Sequence, residues 1–136
     1  MSVKPTAIVI EDDSRLALLF NANCSMAGFH SEVVLTGYEA MSYLQRQPSP
    51  QVNLVLLDMY LPGVGGELLL KHLKENFPDT IVIIITADPV MADKHRGEVE
   101  WSLAKPVSWV DLKAILFQAF ERIQSHKTVS THPPVI

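Results

Sequence analysis

The stretch Asn53-Leu-Val-Leu-Leu-Asp58-Met-Tyr-Leu-Pro62-Gly63 decides the reading of this chain. Leu54, Val55, Leu56 and Leu57 form an unbroken apolar run that ends in one carboxylate, Asp58. Such a run, closed by a Pro-Gly turn signal, suits a strand buried on both faces of a parallel sheet. Asp58 then stands where the sheet ends and the loops begin. In open α/β sheets that edge is where ligands bind.

The rest of the chain repeats the pattern. Residues 7–10 form a short apolar run that ends in Glu11-Asp12-Asp13. From Ser14 a helical pattern begins, with Leu16, Leu19, Phe20, Cys24 and Ala27 near one face and Gly28 as its stop. Residues 32–35 read as a weak second strand. Thr36 and Glu39 have capping-box spacing before a helix carrying Ala40, Met41 and Leu44. After Pro62-Gly63 comes a helix with Leu69, Leu70, Leu73 and Phe77 inward. Residues 81–85, all β-branched, predict a central strand that runs into Thr86.

Residues 88–100 are the least legible; a short helix over 91–96 is the expectation. Trp101, Leu103 and Ala104 predict a short fifth strand ending at Lys105-Pro106. Ser108 caps a last helix in which Leu112, Ile115, Leu116, Ala119, Phe120 and Ile123 keep amphipathic spacing. Residues 128–136 are rich in Ser, Thr and Pro, so a domain over 1–126 with a disordered tail at 127–136 is expected. Strands alternating with helices predict one α/β domain, a parallel sheet with helices on both faces.

Composition narrows the function. The chain has 136 residues, 48% of them apolar, enough for a real core. A net charge of −4 gives no basic face for nucleic acid. Cys24 is the only cysteine, so there is neither an internal disulfide nor a cysteine metal site. With no signal-peptide pattern and no apolar run long enough for a membrane, a cytoplasmic protein is expected. The five histidines show no ligand spacing and are expected to be exposed; Trp101 and Trp109 are expected to pack.

Four strands thus end in polar groups: Glu11-Asp12, Asp58, Thr86 and Lys105. In a parallel sheet these ends share one edge, which would gather three acids, a hydroxyl and an ammonium. Clustered carboxylates repel unless a cation joins them, and oxygen ligands without His or Cys select Mg²⁺ or a similar hard ion. Mg²⁺ commonly bridges to phosphate. A carboxylate can act as a nucleophile to give an acyl phosphate, and Lys105 and Thr86 suit the phosphoryl oxygens. Each residue also has a plainer reading: Asp58 as a turn former, Glu11 and Asp12 as helix N-terminal acids, Thr86 as a strand residue, Lys105 as a surface lysine. Their joint placement on four strand ends favours a site.

The pieces Ile8-Val-Ile-Glu11-Asp12-Asp13, Leu54-Val-Leu-Leu-Asp58, Val82-Ile-Ile-Ile-Thr86-Ala87 and Lys105-Pro106 occur in an order that resembles the receiver domain of two-component response regulators, over about residues 5–125. The resemblance implies a doubly wound, flavodoxin-like sheet of order 2-1-3-4-5. It implies that Asp58 accepts a phosphoryl group from a sensor histidine kinase or histidine phosphotransfer protein. Mg²⁺ (or Mn²⁺) would be held by Glu11, Asp12, Asp58 and the backbone carbonyl of Tyr60, with Thr86 and Lys105 on the phosphoryl oxygens. Asp12-Asp13 is the other candidate metal pair. The family's pair directly follows the strand, and Ile10 is the last apolar residue, so Glu11 and Asp12 are chosen. The Lys105–Pro106 peptide is usually cis in the family.

Two departures bear on output. Ser102 stands where the family usually has a switch aromatic, with Trp101 beside it, and the segment from Thr86 to Lys105 is short. A serine cannot swing a ring, so a phosphorylation-independent interaction module, a pseudo-receiver, is the alternative. An aspartyl-nucleophile phosphohydrolase is disfavoured, because such enzymes place an acid where this chain has Tyr60. The protein would catalyse its own phosphorylation and dephosphorylation without being a multiple-turnover enzyme. With no output domain expected after 126, direct DNA binding is not expected, and output would pass by binding a downstream protein, by phosphotransfer to another protein, or through a domain outside this sequence.

Overall fold

The computed structural model describes residues 3–131. Five strands alternate with five helices: β1 (Thr6–Ile10), α1 (Ser14–Met26), β2 (His30–Val34), α2 (Gly37–Leu44), β3 (Leu54–Leu57), α3 (Gly66–Asn76), β4 (Ile81–Thr86), α4 (Pro89–Lys94), β5 (Trp101–Ala104) and α5 (Trp109–Thr131). The strands form one sheet of order β2-β1-β3-β4-β5, and every pairing is parallel. This is the flavodoxin-like arrangement implied by the resemblance.

The two-residue period of the strands sorts their side chains to two faces. Ala7, Val9, Leu54, Leu56, Ile83 and Ile85 meet Ala17, Phe20 and Cys24 of α1 and Leu112, Leu116 and Ala119 of α5. Ile8, Ile10, Val55, Leu57, Val82 and Ile84 meet Ala40 and Leu44 of α2 and Leu69, Leu70 and Leu73 of α3. β3 and β4 are buried along their whole length, which is why their sequences are apolar without alternation.

Helix ends follow local chemistry. The Asp13 side chain caps α1 by accepting from the Arg15 and Leu16 amides. Thr36 accepts from the Glu39 amide at 3.1 Å to start α2, as its spacing predicted. Asp88 caps α4, and Pro89 takes the first helical position, where a missing N–H costs nothing. Ser108 accepts from the Asp111 amide at 3.3 Å at the start of α5.

Several expectations need correction. β2 begins and ends earlier than 32–35. In α1 the buried side chain beside Phe20 is Ala17, whereas Leu19 is exposed. α4 spans Pro89–Lys94, not 91–96. α5 runs past residue 126 to Thr131; the remainder of the expected tail, 132–136, lies outside the described residues.

His95 is buried, not exposed. Its Nδ1 lies 2.7 Å from Glu98 Oε2 and its Nε2 3.9 Å from Glu67 Oε2. The bond from His95 holds the Glu98 carboxyl below its usual value. Among the described residues, no helix is long and apolar enough to cross a membrane.

Candidate functional site: an acidic pocket at the strand ends

The ladder continues one residue past three strands, and this sets the site. Glu11 N–H donates to the Val34 carbonyl at 3.1 Å, Asp58 N–H to Ile10 at 3.0 Å, and Lys105 N–H to Thr86 at 2.7 Å. Each side chain therefore leaves a fixed backbone at the C-terminal edge. Gly66 makes room for this edge. A Cβ there would lie 2.4 Å from Met59 Cα and 2.9 Å from the Asp58 carbonyl oxygen. The helix α3 can start this close to the Asp58 loop only with glycine at that position.

Glu11, Asp12 and Asp58 come together, with one carboxylate oxygen from each within 4.8 Å of the others. Glu11 and Asp58 are buried, while Asp12 is exposed. Lys105 Nζ lies 2.6 Å from Glu11 Oε1 and 3.2 Å from Asp58 Oδ2, bridging the two buried acids. Glu11 Oε2 accepts from the Asp13 amide at 3.1 Å. Asp13 thus serves as cap and backbone donor, and the acids that gather with Asp58 are Glu11 and Asp12.

Burial pushes the Glu11 carboxyl up to about 7, against the pull of Lys105 and the Asp13 amide. Burial acts on Lys105 as well, but its contacts with Glu11 and Asp58 outweigh it and hold the ammonium above its usual value. The difference has a physical source. Glu11 is sealed from water, whereas the Lys105 side chain keeps 18% of its surface exposed. A divalent cation would reverse the balance at Glu11 by favouring the ionised form. The donor set, three carboxylates without His or Cys, fits a hard ion such as Mg²⁺.

Thr86 is fully buried at the end of β4, and its Oγ accepts from the Asp88 amide at 3.4 Å. Tyr60 presents its amide to Asp58 Oδ1 at 3.1 Å, and its phenol donates to Asp88 Oδ2 at 2.7 Å. That bond holds the Tyr60 phenol above, and the Asp88 carboxyl below, their usual values. Asp88 was not singled out from sequence. The Asp-Pro pair at a helix start was a usable signal for its capping role. Its bond to Tyr60 crosses between loops and leaves no pattern in the chain. The Lys105–Pro106 peptide is cis.

Ser102 pairs in register with Ile84 and faces α4, where its hydroxyl donates to the Ala92 carbonyl at 2.6 Å. Trp101 packs on the opposite face, against the α1 and α5 side, with the Arg122 guanidinium 5.0 Å from its ring centroid. Trp101 therefore does not take the place of the missing aromatic. Trp109 packs on Phe20, with ring centroids 5.7 Å apart.

Doubly wound parallel sheets with an acidic pocket at the strand ends define a class of signalling domains, and the comparisons agree. Residues 7–117 match the response regulator receiver domain family. The chain belongs to that family, and its acidic pocket is of the kind that houses a phosphoacceptor aspartate. It is 32% identical over 116 residues to the phosphate regulon transcriptional regulatory protein PhoB of Rhizobium meliloti (strain 1021), covering 81% of this chain and 49% of that protein. It is 31% identical over 120 residues to the transcriptional regulatory protein CitT of Halalkalibacterium halodurans, covering 84% and 50%. The chain thus spans about half the length of these curated relatives. The signal receiver domain of a LuxO repressor protein from Vibrio parahaemolyticus superposes with a TM-score of 0.79 at 27% identity, covering 96% of this chain and all of that one. A CheY-like receiver domain from Methanospirillum hungatei shares the fold, with a TM-score of 0.78 at 18% identity over 91% of this chain and 99% of that one.

Proposed function

We propose that residues 1–126 form a phosphoacceptor unit in which Asp58 takes a phosphoryl group from a phosphohistidine of a sensor histidine kinase or histidine phosphotransfer protein. The observation that carries this reading is Lys105 bridging Glu11 and Asp58, with Asp12 beside them. Nucleophile, countercharge and metal donors share one pocket.

An Asp58 carboxylate oxygen attacks phosphorus. The P–N bond to the donor imidazole breaks, and its electron pair stays on the leaving nitrogen, which takes up a proton. Lys105 offsets charge on the phosphoryl oxygens, and Thr86 donates to one of them once its hydroxyl turns from the Asp88 amide. Glu11, Asp12, Asp58 and the Tyr60 carbonyl would hold Mg²⁺ (or Mn²⁺), which when bound supplies positive charge to the phosphoryl group and the incoming carboxylate. Water attack on phosphorus then breaks the P–O bond, releases phosphate and restores Asp58. The unit acts in the cytoplasm, and output passes to a downstream protein that reads the two states.

A second reading is favoured by one observation. Ser102 ties β5 to α4 through a buried hydrogen bond, where a ring that changes position would loosen it. On that reading the domain is a fixed interaction module. Acetyl phosphate with Mg²⁺ separates the two. The proposal expects hydroxylamine-sensitive labelling of the parent chain and none of Asp58→Asn. Equal labelling of both proteins would overturn Asp58 as the acceptor, and no labelling of either would leave the fixed module.

A further inference from the structure

Tyr60 follows β3 and Asp88 follows β4, so the two residues stand on neighbouring loops over the pocket. Tyr60 uses both of its donors. Its amide holds Asp58 Oδ1 at 3.1 Å, and its phenol holds Asp88 Oδ2 at 2.7 Å. Asp88 is equally committed. Its amide donates to Thr86 Oγ at 3.4 Å, and its Oδ1 accepts from the Val90 amide at 2.9 Å. Its carbonyl accepts from the Ala92 amide at 3.0 Å. A continuous chain of hydrogen bonds therefore runs from Asp58 through Tyr60 and Asp88 to Thr86 and the first turn of α4.

The far end of α4 is held separately. Ser102 donates to the Ala92 carbonyl at 2.6 Å, and Lys94 pairs with Glu67 at 3.3 Å. A helix of one and a half turns, tied at both ends, can respond to the pocket only by releasing one tie. The Ser102 bond is buried, whereas the Tyr60–Asp88 bond is open to water. The exposed tie is the weaker of the two, because water competes for both partners.

We propose that the Tyr60 phenol and the Asp88 carboxylate form a strap across the mouth of the Asp58 pocket, one that holds α4 in its resting position and opens when Asp58 carries a phosphoryl group. This inference rests on the phosphoacceptor reading above. When Thr86 turns to the phosphoryl oxygens it leaves the Asp88 amide, the Asp88 loop loses its anchor, and α4 pivots about the Ser102 bond. Tyr60 and Asp88 are positioning residues here, because they act through Thr86 and α4 and not on phosphorus. The route needs no ring at residue 102, and it gives this chain a link from pocket to surface compatible with a serine there.

The test uses beryllofluoride, a phosphoryl mimic, with Mg²⁺ and amide NMR of residues 90–94 in the parent, Tyr60→Phe, Asp88→Asn and the double variant. Asparagine keeps the α4 cap and replaces the accepting oxygen with a donor. The strap predicts that both single variants, without mimic, shift the α4 amides toward the positions of the mimic-bound parent. It also predicts half-saturation at a concentration lower by about threefold, the scale of one partly hydrated charge-assisted bond, with no further gain in the double variant. A parent that responds to the mimic, with variants whose free-state α4 amides match the parent, overturns the strap alone. A parent indifferent to beryllofluoride and Mg²⁺ overturns the phosphoacceptor reading and the strap with it.

Discussion

Lys105 Nζ stands 2.6 Å from Glu11 Oε1 and 3.2 Å from Asp58 Oδ2, so one ammonium from the last strand neutralises two buried acids from the first and third. Removing it takes away the countercharge, so Glu11 is held more firmly in its protonated form and the buried Asp58 carboxylate loses its cationic partner. Lys105→Gln is expected to destabilise the metal-free protein by about 2 kcal/mol at neutral pH, less than for a sealed pair because Lys105 keeps some water. Millimolar Mg²⁺ is expected to restore more stability to the variant than to the parent. Urea denaturation with EDTA or Mg²⁺ measures both, and a variant as stable as the parent in EDTA contradicts the bridge.

Glu11 makes stability depend on pH. Its folded carboxyl titrates at about 7 against an ordinary value of 4.5. Below the ordinary value both states are protonated and nothing changes. Between the two values the unfolded chain has lost its proton and the folded one keeps it, so stability falls as pH rises through that window and levels off above about 7. The full change is up to about 3 kcal/mol. Denaturation in EDTA at about pH 5 and about pH 7.5 reads it, with Glu11→Gln expected to flatten the profile.

Ser102→Ala leaves the Ala92 carbonyl without its buried donor. The expected loss is about 1–2 kcal/mol, with faster hydrogen exchange concentrated in α4. Exchange that rises evenly over the whole sheet would show that the bond does not single out α4.

Gly66→Ala places a methyl group against backbone atoms of Met59 and Asp58, none of which can rotate away. The expected cost is about 2–3 kcal/mol. Because the Asp58 loop must move to admit the methyl, Mg²⁺ affinity should fall in the same variant. An alanine variant with parental stability and Mg²⁺ affinity would mean that the approach is looser than the geometry shows.

Legibility tracked burial. β3 and β4 could be read because both faces are covered and every side chain is apolar. β2 lies at the sheet edge with alternate residues open to water, so its run was weak and its bounds slipped. In α1 the residues Leu16, Ala17, Leu18, Leu19 and Phe20 are all apolar, and the period cannot choose among them; the sheet chooses Ala17 and Phe20. α4 buries a single side chain, Ala92, and so had almost no face to read. His95 looked like a surface residue because its burial depends on the loop folding back and bringing Glu98 within 2.7 Å. Glu11, Asp12, Asp58, Thr86 and Lys105 were legible because topology alone carries strand ends to one edge. The Tyr60–Asp88 bond was not, because two side chains meeting between loops obey no period.

The ladder that carries Lys105 to the pocket has a consequence during synthesis. Parallel strands cannot pair as hairpins, and β5 joins the sheet only through β4. A growing chain that has made Glu11 and Asp58 still lacks the ammonium that bridges them. The pocket is thus completed by the last strand of this sheet to leave the ribosome, and a chain made only as far as β4 presents both acids without that bridge.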